Sequence, residues 1–250
     1  MQKTQVAKYF AVWFLIVLTK TAAADLPGGF VYVTAVVPDI VLDIRYSGNH
    51  NFLGTRVDGY DAPVGIVTEK AALALAEVQQ DLKAFGFGLK LYDAYRPQRA
   101  VDHFVRWATD FGDTLTKKEF YPTLAKPVLL EEVYIATRSS HTRGSAVDLT
   151  IVPLPVPYQP PFEIDRQCDC SRGSATGFRD NSIDMGSGFD CFHEISHTAN
   201  PNLTEQQRTN RLLLKSIMEK YGFKNYAKEW WHFNYRDEPF PDTYFDFIIE

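Results

Sequence analysis

One stretch constrains the chain more than any other: Ser139-Ser140-His141-Thr142-Arg143-Gly144-Ser145-Ala146-Val147-Asp148. A histidine in a glycine-containing loop leads straight into an extended segment, 146–151. Successive side chains of a strand point to opposite faces. Val147, Leu149 and Ile151 therefore make a core-facing side, while Ala146, Asp148 and Thr150 make a small, polar one. A carboxylate on an inward strand face is costly unless something positive neutralises it. An imidazole and a carboxylate joined by a short loop can share a metal ion. Zinc accepts nitrogen and oxygen ligands, and a catalytic zinc keeps one position open for water.

A third ligand is needed, and the best candidate lies in Glu229-Trp230-Trp231-His232. Glu229 and His232 have opposite parity, so one regular strand cannot present both on the same face. Glu229 must then precede the strand or sit at a bulge. The division of labour this suggests is His141, Asp148 and His232 on the metal, with Glu229 free to take a proton from water.

The pattern Ser139-x-His141-x-x-Gly144-x-Ala146-x-Asp148 with Glu229-x-x-His232 resembles the zinc D,D-peptidases that share a fold with the hedgehog signalling domain. Five more segments narrow the resemblance to the D-alanyl-D-alanine dipeptidases of the VanX type. They are Asp43-Ile44-Arg45-Tyr46, Asn51-Phe52, Tyr92-Asp93-Ala94-Tyr95-Arg96-Pro97, Met185-Gly186-Ser187-Gly188-Phe189-Asp190 and Arg236-Asp237-Glu238-Pro239. The resemblance implies a single α+β domain with a mainly antiparallel sheet flanked by helices. It implies one Zn2+ per chain and hydrolysis of a small dipeptide. Arg96 would bind the carbonyl oxygen that becomes anionic. Asp93 would orient Arg96 and is grouped with the substrate-binding residues. Tyr46 and Asp190 would hold the substrate's amino end, and Ser139 would lie near its carboxylate. Two other readings share this metal: a D,D-carboxypeptidase acting on peptidoglycan stems, and a non-catalytic zinc-binding module. Glu229 and Arg96 weigh against the module.

The rest of the chain is consistent with one domain. Its 250 residues are 45% hydrophobic, enough for one sizeable core, and a formal charge of −5 argues against nucleic acid as a partner. Residues 1–24 read as a signal peptide: Lys3 and Lys8 precede an apolar run, and Ala22-Ala23-Ala24 offers a cleavage site. The mature chain, 25–250, would then have no membrane insertion. In a bacterium with two membranes it would reside in the periplasm. Export favours recycling of wall fragments over glycopeptide resistance, which destroys the dipeptide in the cytoplasm. Helical spacing predicts helices over 68–85, 97–111 and 204–221, with Thr68 capping the first and Thr204 and Gln207 forming a capping box on the third. A strand is expected over 88–95, with Leu89, Leu91, Asp93 and Tyr95 on one face. Alternation is likewise expected in Asp43-Ile44-Arg45-Tyr46.

Two features remain. The stretch 153–180, rich in Pro, Ser and Gly, reads as a surface insertion. It carries Cys168 and Cys170, and Cys191 lies just beyond; Cys191 is expected to pair with one of them, since neighbours in a Cys-x-Cys are poorly placed to bridge each other. His193-Glu194-Ile195-Ser196-His197 spells the motif of helical zinc proteases, but flanking glycines and Pro201 argue against the helix that motif needs. It reads as a decoy, with His197 left a supporting role.

Overall fold

The computed structural model describes residues 26–131, 134–173 and 180–250. The expected leader, 1–24, lies outside the described residues. A two-stranded antiparallel sheet pairs β1 (Phe30–Tyr32) with β3 (Ile66–Thr68). The main sheet contains β2 (Val41–Leu42), β4 (Phe87–Asp93), β5 (Ala146–Pro153), β6 (Phe223–Asn225) and β7 (His232–Tyr235). Their spatial order is β2-β4-β5-β7-β6, and every pairing is antiparallel except β2 with β4. The expected α+β architecture with a mainly antiparallel sheet is therefore the one that forms.

The central strand explains why this sheet is stable. Val147, Leu149 and Ile151 are completely buried. Each such side chain contributes on the order of 1.5–3 kcal/mol when removed from water. Helices Glu69–Lys83 and Glu205–Lys220 pack on the sheet and on each other, and Gln98–Thr109 follows β4. Ala71, Leu75, Val78 and Leu82 form the buried stripe of the first helix. Thr204 and Gln207 make the reciprocal capping box. Thr68 does not cap its helix; its hydroxyl is 2.7 Å from the Ser145 hydroxyl and ties that helix start to β5.

Two further local expectations fail, each for a physical reason. Regular alternation puts Asp93 on the face of Leu89 and Leu91. The β4–β5 register instead slips between Leu91 and Asp93, so Asp93 lies opposite Asp148. A bulge adds one residue to one strand and reverses the parity beyond it. Alternation also fails after Asp43. The chain leaves β2 and turns through a 3-10 helix, Arg45–Ser47, so Arg45 and Tyr46 are both buried.

Burying Arg45 requires partners. It contacts Asp43 at 3.0 Å and Asp180 at 3.2 Å, while fully buried Lys90 meets the same carboxylates at 2.9 and 3.4 Å. Two cations and two anions thus compensate one another at the sheet edge. Gln159 and Phe162, from the stretch read as an insertion, lie beside this cluster. Gln159 donates to Asp43 at 3.1 Å, and the Phe162 ring stacks on His50 at 3.9 Å. At the other end of the chain, Phe240, Phe245 and Phe247 gather around Phe30, and Phe247 stacks on Tyr95 at 3.9 Å.

Candidate active site

Sheet register assembles the site. Asp148 is paired with His232 on one side and with Asp93 on the other, so three functional groups form a row across β4, β5 and β7. His141 reaches this row from the 3-10 turn Ser140–Arg143, which Ser139 caps by accepting the His141 N–H at 3.2 Å. The turn ends at Gly144, with φ +80°, where a Cβ would lie 2.1 Å from the Phe30 ring. Only glycine suits both that backbone and that space.

The three expected ligands converge. His141 Nε2 is 3.0 Å from His232 Nδ1 and 3.3 Å from Asp148, and His232 Nδ1 is 3.0 Å from the other Asp148 oxygen. Their ligand atoms all lie within 4.8 Å of one another, and all three residues are buried. His141 Nδ1 donates to the Ala94 carbonyl at 2.7 Å, which leaves the Nε2 lone pair facing His232. Asn234 and Ser140 sit 3.0 and 3.3 Å from His232 Nε2 and engage its outer nitrogen. Histidines that bind metals are commonly held this way, with the second nitrogen in a hydrogen bond. Asn234 offers its amide N–H to Nε2, so the ring proton of His232 lies on Nδ1, between the Asp148 carboxylate and the His141 lone pair; a cation replacing that proton would take all three groups as ligands. The residues therefore fit a metal ion of the nitrogen- and oxygen-binding kind. Burial alone would raise Asp148, but His141 and His232 outweigh it and hold the carboxylate far below its ordinary range. Burial alone would lower His232, but Asp148 raises it.

Glu229 lies in the turn before β7, as parity requires, with its backbone N–H on the Tyr226 carbonyl. Its carboxylate is 3.8 Å from His232 Nδ1 and its side chain keeps 30% of its surface exposed. Burial pushes Glu229 up to about 7 against the pull of His232, with Asp148 adding to the push. A metal cation would draw it down again, and the open surface moderates the effect of burial.

Arg96 is held on four sides. Its Nε donates to Asp93 at 2.9 Å, its Nη2 lies 3.5 Å from Asp148, and its guanidinium sits over the rings of Tyr46 and Phe104 at 5.1 and 5.0 Å. Asp93 is fully buried and does not border the cleft; the oxygen that meets Arg96 is also 3.5 Å from His141 Nδ1, while its other oxygen accepts the Tyr60 hydroxyl at 2.6 Å. Tyr46 donates to Asp190 at 2.7 Å. Burial drives Asp190 well above the usual carboxylate range, with Asp148 adding to it and Tyr46 opposing it. Tyr46, Arg96, Ser139, His141, Asp148, Asp190, Glu229 and His232 all border one cleft of about 290 Å³, walled by Phe104, Phe192 and Trp231.

The decoy motif stays apart. Only Glu194–Ser196 forms a 3-10 turn there, and the His193 ring accepts the Ile195 N–H as its cap. Neither His193 nor His197 borders the cleft. The two tryptophans divide: Trp231 walls the cleft, while Trp230 is buried with its N–H on Ser187. Sequence reasoning missed Tyr60, Ser140 and Asn234. Asn234 could have been found, since it shares strand parity with His232; Tyr60 has no comparable signal.

The arrangement is one known elsewhere. A family model described as D-Ala-D-Ala dipeptidase, of the M15 peptidases, matches residues 27–154 and 168–250. The matched segments skip 155–167, inside the stretch read as an insertion. A D-alanyl-D-alanine dipeptidase of Enterococcus faecalis is 38% identical over 224 residues, which is 90% of this chain and 100% of that protein. One from Streptomyces coelicolor is also 38% identical, with the same coverage. One from Escherichia coli is 29% identical over 80% of this chain and 81% of its own length. With the His141–Asp148–His232 cluster, Glu229 and Arg96 gathered in one cleft, and with this likeness along nearly the whole chain, the protein belongs to the D-Ala-D-Ala dipeptidase family of metal-dependent M15 peptidases.

Proposed function

We propose that this protein is a zinc-dependent dipeptidase that hydrolyses free D-alanyl-D-alanine to two D-alanines. The observation that carries the reading is the Tyr46–Asp190 pair at 2.7 Å in the same cleft as the His141–Asp148–His232 cluster. A short zwitterion needs an anionic partner for its ammonium group close to the scissile bond, and Asp190 supplies it once the arriving ammonium draws its raised carboxyl back to the ionised form.

His141, Asp148 and His232 would hold the ion, and zinc there acidifies water and polarises the peptide carbonyl. Glu229 takes the proton of the attacking water and later delivers it to the leaving amine. Arg96, clamped by Asp93 and two aromatic faces, offers a fixed cation to the oxygen on which negative charge develops. Ser139 borders the cleft where the substrate carboxylate would lie. The Cys170–Cys191 disulfide supports the further reading that the chain is exported, to the periplasm in a cell with two membranes. There it would recycle wall-derived dipeptide.

The test is D-alanine release by the purified, zinc-loaded protein. Free D-Ala-D-Ala should be cleaved far faster than its N-acetyl form or a stem pentapeptide. Acylation removes the ammonium charge, adds bulk and leaves Asp190 without its partner. Faster release from the pentapeptide would make the enzyme a D,D-carboxypeptidase instead.

A further inference from the structure

The stretch beyond β5 brings a covalent tie to the cleft. Cys170 opens the 3-10 turn Cys170–Arg172 and is bonded to Cys191, the residue directly after Asp190. Asp190 has φ +57°, and among the described residues no other non-glycine has positive φ. A residue with a side chain holds that left-handed conformation at a cost and keeps it only when its surroundings over-determine it. Cys170 supplies two of the restraints here. Gly188 donates its N–H to the Cys170 carbonyl at 2.9 Å, and two residues past Phe189 the disulfide returns to Cys170. Phe189 and Asp190 are thus held between two attachments to Cys170. The Asp190 carboxylate emerges from this clamp onto the Tyr46 hydroxyl at 2.7 Å.

We propose that the Cys170–Cys191 disulfide is a specificity device, which fixes Asp190 in its left-handed conformation, aims its carboxylate at the substrate's ammonium group, and so sets the preference for a free amine. The inference rests on the function proposed above. Beyond Asp190 the Phe192 N–H reaches the Phe120 carbonyl at 2.8 Å and the Cys191 carbonyl accepts the Ser196 hydroxyl at 2.7 Å; the disulfide adds to these hydrogen bonds the one covalent restraint, placed on the residue next to Asp190. A catalytic geometry misplaced by about 1 Å loses on the order of a hundredfold in rate. The effect falls on substrates that use Asp190 and spares those that do not.

Two substrates and three proteins test this. D-alanine release from D-Ala-D-Ala and from N-acetyl-D-Ala-D-Ala is measured for the wild type, Cys168→Ser, and the double variant Cys168→Ser/Cys170→Ser. Cys168 is unbonded, and replacing it keeps it from taking over Cys191. Cys168→Ser should match the wild type. The double variant should keep its metal and raise KM for the free dipeptide, with kcat/KM falling roughly ten- to a hundredfold. Its slow cleavage of the N-acetyl form should stay nearly unchanged, so selectivity collapses. Asp190→Ala should show the same collapse, and combining it with the double variant should add little, because the two act through one carboxylate. Loss of a disulfide that served stability alone would lower the melting temperature and leave the ratio of the two rates intact; that result in a folded, metal-loaded variant overturns the inference. Should the double variant not fold, the same ratio is read on wild-type protein reduced by a phosphine. There water supplies the oxygen of the phosphine oxide and the two protons of the new thiols. A preserved ratio then counts against the clamp as before. A wild type that spares the free dipeptide would overturn the function itself, and the clamp with it. A wild type that cleaves it, beside a fully selective double variant, would overturn the clamp alone.

Discussion

Residues whose chemistry is in their type were legible from the sequence, and residues whose role lies in a distant partner were not. His141, Asp148 and His232 announce themselves by ligand chemistry, and Glu229 by the parity that sets it before β7. Tyr60 does not, because its meaning comes only from the Asp93 oxygen it serves. Arg96 was legible as a charge, but its rigidity comes from Asp93, Tyr46 and Phe104. That rigidity leads to a prediction. Arg96→Lys keeps the charge and loses the planar fork that Asp93 grips. It should retain its metal, with kcat lower by roughly a hundred- to a thousandfold, as for loss of an oxyanion donor; near-normal turnover would remove Arg96 from that role. A second prediction concerns Glu119, buried and 2.7 Å from His50. Burial raises its carboxyl from 4.5 to about 7, with Arg45 opposing. A carboxyl raised on folding contributes stability that is full below its unfolded midpoint and lost as pH climbs through the folded one. Glu119→Gln, which stays neutral, should match the wild type near pH 4 and exceed it at pH 8 by on the order of 3 kcal/mol. Urea unfolding at the two pH values measures this, and a gap that shrinks with rising pH would contradict it.

Periodic elements were easy to read and interruptions of the period were not. The helices Glu69–Lys83, Gln98–Thr109 and Glu205–Lys220 fall within a residue or two of their expected bounds, since buried stripes and caps are written locally. The slip between Leu91 and Asp93 is invisible to a parity count, yet it brings Asp93 opposite Asp148 and so builds the Arg96 clamp. The 3-10 turn Arg45–Ser47 escaped for a similar reason: alternation in Asp43-Ile44-Arg45-Tyr46 suggests a strand, and ion pairs of Arg45 to Asp43 and Asp180 override it. The connection from the Ser140–Arg143 turn into β5 depends on Gly144, with its positive φ and its contact with Phe30. Gly144→Ala should therefore cost at least about 1–3 kcal/mol from overpacking alone and weaken metal binding, because the displaced turn carries His141. Thermal unfolding with and without zinc reads both effects; an unchanged melting temperature and unchanged zinc affinity would show that the turn tolerates the methyl group.

Across the whole molecule, the sequence conveyed the sheet and the residues that meet in one cleft, while contacts between remote segments had to be seen. Lys90 on β4, Asp43 and Arg45 after β2, and Asp180 at the end of the insertion close into one buried charge cluster, which no local window contains. The choice of Cys170 over Cys168 as the partner of Cys191 likewise follows from how the insertion lies on the body. These contacts surround a cleft in which three groups are arranged to hold a metal and a fourth, Glu229, is arranged not to. That separation of roles is the central claim, and metal content measured beside turnover in Glu229→Gln tests it most directly. The variant should bind about one zinc per chain while D-alanine release from D-Ala-D-Ala falls by roughly a hundred- to ten-thousandfold, the share of a general base. A Glu229→Gln protein that loses its zinc, or that keeps zinc and turns over like the wild type, would contradict it.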